Sequence, residues 1–497
     1  MLIALDAGTT GVRAMAVDEA GAGLGSVMVG IGRRFPRPGW VEQDPAEIWS
    51  ATRAALCGLR ERCPGPVGAL GVANQRETAL AWDRRSGRPL APAIVWQDRR
   101  TEATCRRLAE AGHAGPVRSR TGLLLDPYFT ATKLSWLLSE GGVPDTPDLV
   151  LSTVDTWLAW QLTGGPGTGV LVTDSSNASR TLCYDLTLGG WSEELCELFG
   201  VPAHALAELR PSCGRIGRLG AGVAPGLEGV PLSALVGDQQ AALVGQGCTE
   251  PGMAKCTYGT GSFVLTPLGP APPSPPEGLL ASVAWDLGER GGVTHALEGS
   301  IFSTGSAIQW LRDGIGIIDA ASEIGPLAES VPDSQGAYLV PAFAGLGSPW
   351  WDPSARGTLV GLTKGVGRAE LARAAIESIA YQVRDVADAM GAAGVPLGAL
   401  RVDGGASVVD LLLQVQADQL GIPVSRSAVT EATALGAALL AGIAEGVWSD
   451  LAEVSALWSA ARTFEPRITR AGADGRQAAW RRAVERSRGW ARPAAGG

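Results

Sequence analysis

The sequence predicts an α/β protein built from two domains, and three observations carry that reading. The chain has 497 residues, more than a single hydrophobic core usually organises. Short apolar runs at residues 69–73, 234–236, 254–257, 337–340 and 400–402 are punctuated by Gly or Asp and interleave with longer stretches of helical periodicity. The third observation is an echo. Leu2-Ile3-Ala4-Leu5-Asp6-Ala7-Gly8 near the start and Leu400-Arg401-Val402-Asp403-Gly404-Gly405 in the second half share a strand–Asp–Gly arrangement, which implies two domains of similar build.

The first element is the apolar strand at residues 2–6, followed by the turn Gly8-Thr9-Thr10. Glycine lets backbone approach a polyphosphate, turn amides and threonine hydroxyls donate to its oxygens, and Asp6 at the strand end is placed to hold Mg2+ through water. Arg13 follows at a distance that reaches a terminal phosphate. A plain tight turn capped by Asp6 would use the same residues. Neither a Gly-x-x-x-x-Gly-Lys-Ser/Thr loop nor a Gly-x-Gly-x-x-Gly loop occurs, so any nucleotide cradle here is of another kind.

Further along, Gly237-Asp238-Gln239-Gln240 precedes a helix rich in small residues at 241–245, and a second such helix is expected at 433–442. Small residues permit close backbone approach, which suits helices crossing at a hinge and equally suits tight core packing. The domains are therefore expected at 1–245 and 246–497. Residues 254–266 and 279–285 are strand-like, and the Pro-rich stretch 267–276 between them reads as a surface loop. The clearest helix spans 369–390, where Leu371, Ile376, Ile379, Val383, Val386 and Met390 share one face and Glu370 sits in the first turn. Residues 486–497, rich in Arg, Pro, Ala and Gly, are expected to fray.

Composition narrows the function. A net charge of −9 with 18% charged and 45% hydrophobic residues argues against a nucleic-acid partner. The longest apolar stretch, 432–444, lies between Glu431 and Glu445 and is shorter than the roughly 20 residues a membrane span needs. With no basic segment ahead of the first apolar run, a cytoplasmic location is expected. Eight cysteines without a Cys-x-x-Cys pair and three histidines make neither a zinc site nor a His-activated nucleophile. The chemistry should rest on carboxylates.

Three loops then draw together: the N-terminal turn, Lys255-Cys256-Thr257-Tyr258-Gly259-Thr260-Gly261-Ser262, and Asp403-Gly404-Gly405. They resemble the paired phosphate and adenosine loops of the actin–hexokinase class of ATP-binding folds. That resemblance implies two actin-like (ribonuclease H-like) ATPase domains with a central nucleotide cleft. Pro38-Gly39-Trp40-Val41-Glu42-Gln43-Asp44-Pro45, Asn74-Gln75-Arg76-Glu77-Thr78, Ile94-Val95-Trp96-Gln97-Asp98-Arg99-Arg100-Thr101 and Asp126-Pro127-Tyr128-Phe129 sharpen it. So do Thr173-Asp174-Ser175-Ser176-Asn177-Ala178-Ser179-Arg180-Thr181, Leu297-Glu298-Gly299-Ser300 and Ala342-Phe343-Ala344-Gly345-Leu346-Gly347. Over nearly its whole length the chain resembles the FGGY carbohydrate kinases, in particular those acting on glycerol.

The resemblance implies ATP and Mg2+ as cofactors, glycerol as phosphoryl acceptor, and a homo-oligomer, dimer or tetramer. It implies that Arg76, Glu77, Tyr128, Asp238 and Gln239 bond the acceptor hydroxyls while Trp96 and Phe263 pack on its carbons. Asp238 would be the general base, Asp6 would position the metal, and Thr9, Thr10, Arg13 and Thr260 would hold phosphates. Gly305, Gln309, Gly405 and Val409 would receive the ribose and base. The chain departs from the glycerol-acting pattern at Ala7 and Gly11, where Gln and Ser are usual, and at Val409-Asp410, where Asn is usual. Residues 213–228 lack the loop with which some relatives bind fructose 1,6-bisphosphate. A kinase for another polyol or sugar, xylulose- or gluconate-like, is the nearest alternative; a chaperone-like ATPase would need no acceptor pocket.

Overall fold

The computed structural model describes residues 1–274 and 276–491. A six-stranded sheet holds β1 (Leu2–Ala7), β2 (Gly11–Val17), β3 (Gly23–Gly30), β4 (Ala69–Asn74), β5 (Cys213–Arg218) and β6 (Pro231–Gly237) in the order β5-β6-β4-β1-β2-β3. A seven-stranded sheet holds β7 (Met253–Tyr258), β8 (Ser262–Gly269), β9 (Leu280–Asp286), β10 (Val293–Ile301), β11 (Ala399–Asp403), β12 (Val424–Ser427) and β13 (Ala460–Phe464), ordered β9-β10-β8-β7-β11-β12-β13. The helices that matter below are α1 (Thr130–Ser139), α2 (Asp238–Gly245), α3 (Arg368–Ala392), α4 (Ala432–Ala444) and α5 (Arg470–Ser487).

Strand β1 explains why the sheet is buried on both faces. Ile3 and Leu5 pack into one core with Val72, Trp157 and Leu162, while Leu2 and Ala4 pack into another with Leu439 and Leu440 of α4. Side chains alternate along a strand, so a continuous apolar run needs a layer on each side.

The two sheets share one wiring. β1 pairs antiparallel with β2 and parallel with β4, which is parallel to β6. β7 likewise pairs antiparallel with β8 and parallel with β11, which is parallel to β12. Two similar domains are therefore present, but the strand that echoes β1 in the sequence is not its counterpart. The equivalent of β1 is β7, and the Asp403-Gly404 strand β11 occupies the place of β4. Asp or Gly also stands at the ends of β6 (Gly237-Asp238) and β7 (Gly259), so that signal cannot rank the strands.

The lobes meet through α2 and α4, packed at the limit of contact. A Cβ on Gly436 would stand 1.8 Å from the carbonyl oxygen of Ala241, and one on Gly245 2.0 Å from that of Ala432. Edge strand β9 adds a second seam, its Val283 and Asp286 amides donating to the hydroxyls of Ser179 (3.1 Å) and Ser212 (3.1 Å).

The expected helix at 369–390 runs over Arg368–Ala392, and that at 433–442 over Ala432–Ala444. Residues 254–266 are a hairpin rather than one strand, because Gly259-Thr260-Gly261 reverses the chain. The Pro-rich stretch joins β8 to β9, apart from Pro275, which lies outside the described residues. The frayed tail is corrected in part. α5 continues to Ser487, the Gly489 amide donates to Asp352 Oδ2 (2.9 Å), and the Ala491 amide donates to the carbonyl of Ser354 (2.8 Å). Residues 492–497 are outside the described part. Among the described residues no helix is long and apolar enough to cross a membrane.

Candidate active site

Two cavities meet at the turn between β7 and β8. The larger, about 630 Å3, is lined by Thr260, Gly305, Gln309, Gly405 and Val409, the five C-terminal residues expected at a nucleotide. The smaller, about 170 Å3, is walled by Trp96, Tyr128, Phe263 and Phe302. Thr260 lines both. A group bound in one cavity thus faces a group bound in the other across a single turn.

Local structure accounts for this turn. The Gly305 amide donates to Gly259 O (3.0 Å) and those of Thr304 and Ser306 to Thr260 O (2.9 and 3.1 Å), so the next turn of chain clamps it. Gly404, at φ +88°, presses against Tyr258 so closely that a Cβ would lie 2.5 Å from its carbonyl oxygen. Only glycine takes this backbone without strain. Val409 is followed by Asp410, which pairs with Arg426 (2.8 Å) at the mouth of the larger cavity.

The expected phosphate turn of the N-terminal lobe is a hairpin tip, closed by the Gly8 amide on Gly11 O (2.9 Å). Thr10 is exposed there. Thr9 is engaged from two sides, its hydroxyl accepting from the Trp96 indole (2.9 Å) and its carbonyl from Gln43 Nε2 (2.8 Å). Arg13 is held by Glu431 at 2.9 Å. Burial, and then the charge of Asp238, push the Asp6 carboxyl up to about 7. Glu431 adds a smaller push in the same direction, and the charge of Arg13 pulls against both.

In the smaller cavity the ring of Trp96 meets Tyr128 and Phe263 edge-on, with centroids 5.6 and 6.4 Å apart. Behind these rings lie Arg76, Glu77, Asp238 and Gln239. Arg76 and Glu77 are buried and are not each other's main partners, being 4.0 Å apart. Arg76 bonds Glu298 (2.6 Å) and Asp238 (3.2 Å), and its Nη2 lies 3.5 Å from the Tyr128 hydroxyl. Glu77, held in the left-handed region at φ +60°, accepts from Arg180 Nε (2.6 Å). A non-glycine residue there is strained, and such strain persists where neighbours over-determine it. Gln239 accepts from the buried ammonium of Lys255.

Arg180, Glu298 and Lys255 complete the site beyond the residues expected from the sequence. Glu298 had a legible signal, since a carboxylate in the middle of Leu297-Glu298-Gly299-Ser300-Ile301 must be paired to sit inside a strand. It bonds Arg76 from one side and Arg180 (3.1 Å) from the other. Burial works against its ionised form, yet the two guanidinium groups hold it down to about 2.

Residues 1–245 match the N-terminal domain of the FGGY family of carbohydrate kinases, and residues 254–445 match its C-terminal domain. The chain belongs to the FGGY family of carbohydrate kinases. A glycerol kinase of Bordetella parapertussis is 50% identical over 100% of this chain and 98% of that protein. One from Gloeobacter violaceus is 47% identical over 99% and 97%. Among solved structures, a Plasmodium falciparum glycerol kinase with ADP superposes at a TM-score of 0.90, with 31% identity over 98% of each chain. A xylulose kinase of Lactobacillus acidophilus shares the FGGY fold at a TM-score of 0.87 and 22% identity, covering 97% of each chain.

Proposed function

We propose that this FGGY kinase transfers the terminal phosphoryl group of ATP to a primary hydroxyl of glycerol, giving sn-glycerol 3-phosphate and ADP. The observation that carries the reading is the 170 Å3 aromatic cavity abutting the 630 Å3 cavity at Thr260. The first is sized for a three-carbon alcohol and the second for a nucleotide. The names of the relatives at about half identity point the same way.

Trp96, Tyr128 and Phe263 cover the acceptor's carbons, while Arg76, Glu77 and Gln239 supply charged and polar groups to its oxygens. An acceptor that leaves one of those buried groups unpaired loses about 1–3 kcal/mol. Asp238 takes the proton as the acceptor oxygen bonds to phosphorus and the bond from phosphorus to the ADP oxygen breaks. Arg76, 3.2 Å from that carboxylate, fixes its direction. Thr9, Thr10, Arg13 and Thr260 would hold the phosphates, and Gly305, Gln309, Gly405 and Val409 the ribose and base.

The residues fit Mg2+. Among the described residues no three acidic, His or Cys side chains gather into a protein-only cage, and Mg2+ characteristically takes one or two carboxylates together with water and phosphate oxygens. Asp6 would hold it through water. The ion would neutralise phosphate charge. ADP release measured over a panel of glycerol, xylulose, gluconate and other polyols tests the assignment: glycerol should exceed all the others, and a better sugar acceptor would replace it.

A further inference from the structure

Tyr128, a wall of the acceptor cavity, sits in a loop gathered around one buried cation. Lys133, in the first turn of α1 and fully buried, donates from Nζ to the carbonyl oxygens of Pro127 (2.8 Å), Tyr128 (2.6 Å) and Phe129 (2.8 Å). Three successive carbonyls converging on one point repel each other, and an ammonium has three donors to meet them. The other side of the Tyr128 peptide is pinned as well. Its amide donates to Asp126 Oδ1 (2.8 Å), which also receives Arg99 Nη1 (2.8 Å). Two residues on, Thr130 donates its hydroxyl to the Glu77 carbonyl (3.2 Å).

A cation in the first turn opposes the helix dipole, and burying it is costly. Helix stability alone therefore gives no reason for a lysine at this position. We propose that Lys133 is a positioning residue for the acceptor, gathering the carbonyls of residues 127–129 so that the Tyr128 ring stands against Trp96 with its hydroxyl toward Arg76. This rests on the acceptor site described above.

Burial pushes the ammonium's pKa down to about 8. Glu77, Asp98, Cys105 and Asp126 face it from the surrounding segments and favour its charged form. Of these, Cys105 is neutral through this range, its thiol pushed up to about 12 by burial. Losing the proton leaves two N–H donors for three carbonyls and turns a lone pair toward the third. The loop should loosen above pH 8.

Two measurements test this on the full chain. In Lys133→Met, amide hydrogen exchange at residues 128–131 should accelerate at least about tenfold, with the 259–261 turn unchanged. Unchanged exchange at 128–131, or an equal rise throughout the chain, overturns the proposal. The second needs no variant: between pH 7.5 and 9.5 the wild-type KM for glycerol should rise several-fold while that for ATP stays within about twofold. A flat glycerol KM, or a parallel rise in both, overturns it. Absence of glycerol-dependent ADP release at pH 7.5 would instead overturn the acceptor assignment, leaving hydrogen exchange to decide on Lys133.

Discussion

The Trp96 indole nitrogen donates to the Thr9 hydroxyl at 2.9 Å, so the wall of the acceptor cavity is bonded to the hairpin tip proposed to hold phosphate. One contact thus orients both substrates. Trp96→Phe keeps an aromatic wall and removes the donor; a neutral hydrogen bond of about 1 kcal/mol predicts a rise of about fivefold in KM for glycerol and for ATP. Thr9→Val should do the same, and the double variant should be no worse than either single one, since both remove one bond. Steady-state kinetics on the four proteins check it, and full additivity would separate the two residues.

Asp238 should matter to turnover rather than to binding. Asp238→Asn preserves shape and the approach of Arg76 but cannot take a proton at neutral pH, so kcat should fall by about 10^2 to 10^4. Glycerol affinity measured by calorimetry should stay within a few-fold. An asparagine variant that turns over normally would remove this residue from the role of base.

Arg180 should set the ionisation of Glu77. Burial raises the Glu77 carboxyl, and Arg180 and then Arg76 pull it back. In Arg180→Met that restraint is lost, while Glu298 keeps Arg76 (2.6 Å) and the Ser300 hydroxyl (2.9 Å). Glu77 then holds its proton to higher pH, and a protonated carboxyl accepts the glycerol hydroxyls poorly. In the variant, kcat/KM for glycerol should fall toward about tenfold per pH unit on the acid side, beginning at higher pH than in wild type. Identical profiles from pH 5.5 to 8.5 would show that Arg180 does not tune Glu77.

How much of this was legible in the sequence depended on the range of the interactions. Local patterns were readable: α3 from its apolar face, the β1 strand and turn, and the small-residue faces of α2 and α4. Gly305, Gln309, Gly405 and Val409 are legible only through the family resemblance of the motifs around them, whereas Thr260 is also marked by its Gly259-Thr260-Gly261 turn. The pairing of Arg180 with Glu298 cannot be read from their motifs, because the two residues lie 118 positions apart and meet only in the fold. The mispairing of β11 with β1 arose similarly: strand order is set by pairing across the sheet, and neither run encodes its neighbour.

The crossing of α2 and α4 yields the last prediction. At Gly436 a single methyl would meet the Ala241 carbonyl oxygen at 1.8 Å, and backbone cannot yield as a flexible side chain does. Gly436→Ala should therefore destabilise the protein by roughly 3 kcal/mol, at the upper end of overpacking effects. Gly391, near the end of α3, is the contrasting helical glycine, since nothing lies within 4 Å of its virtual Cβ. There the same substitution should stabilise by about 0.5–1 kcal/mol, by reducing the freedom of the unfolded chain. Thermal unfolding of the two variants should move in opposite directions from wild type. Because α2 begins at Asp238, Gly436→Ala should also lower kcat at temperatures where the variant remains folded, whereas Gly391→Ala should leave it unchanged.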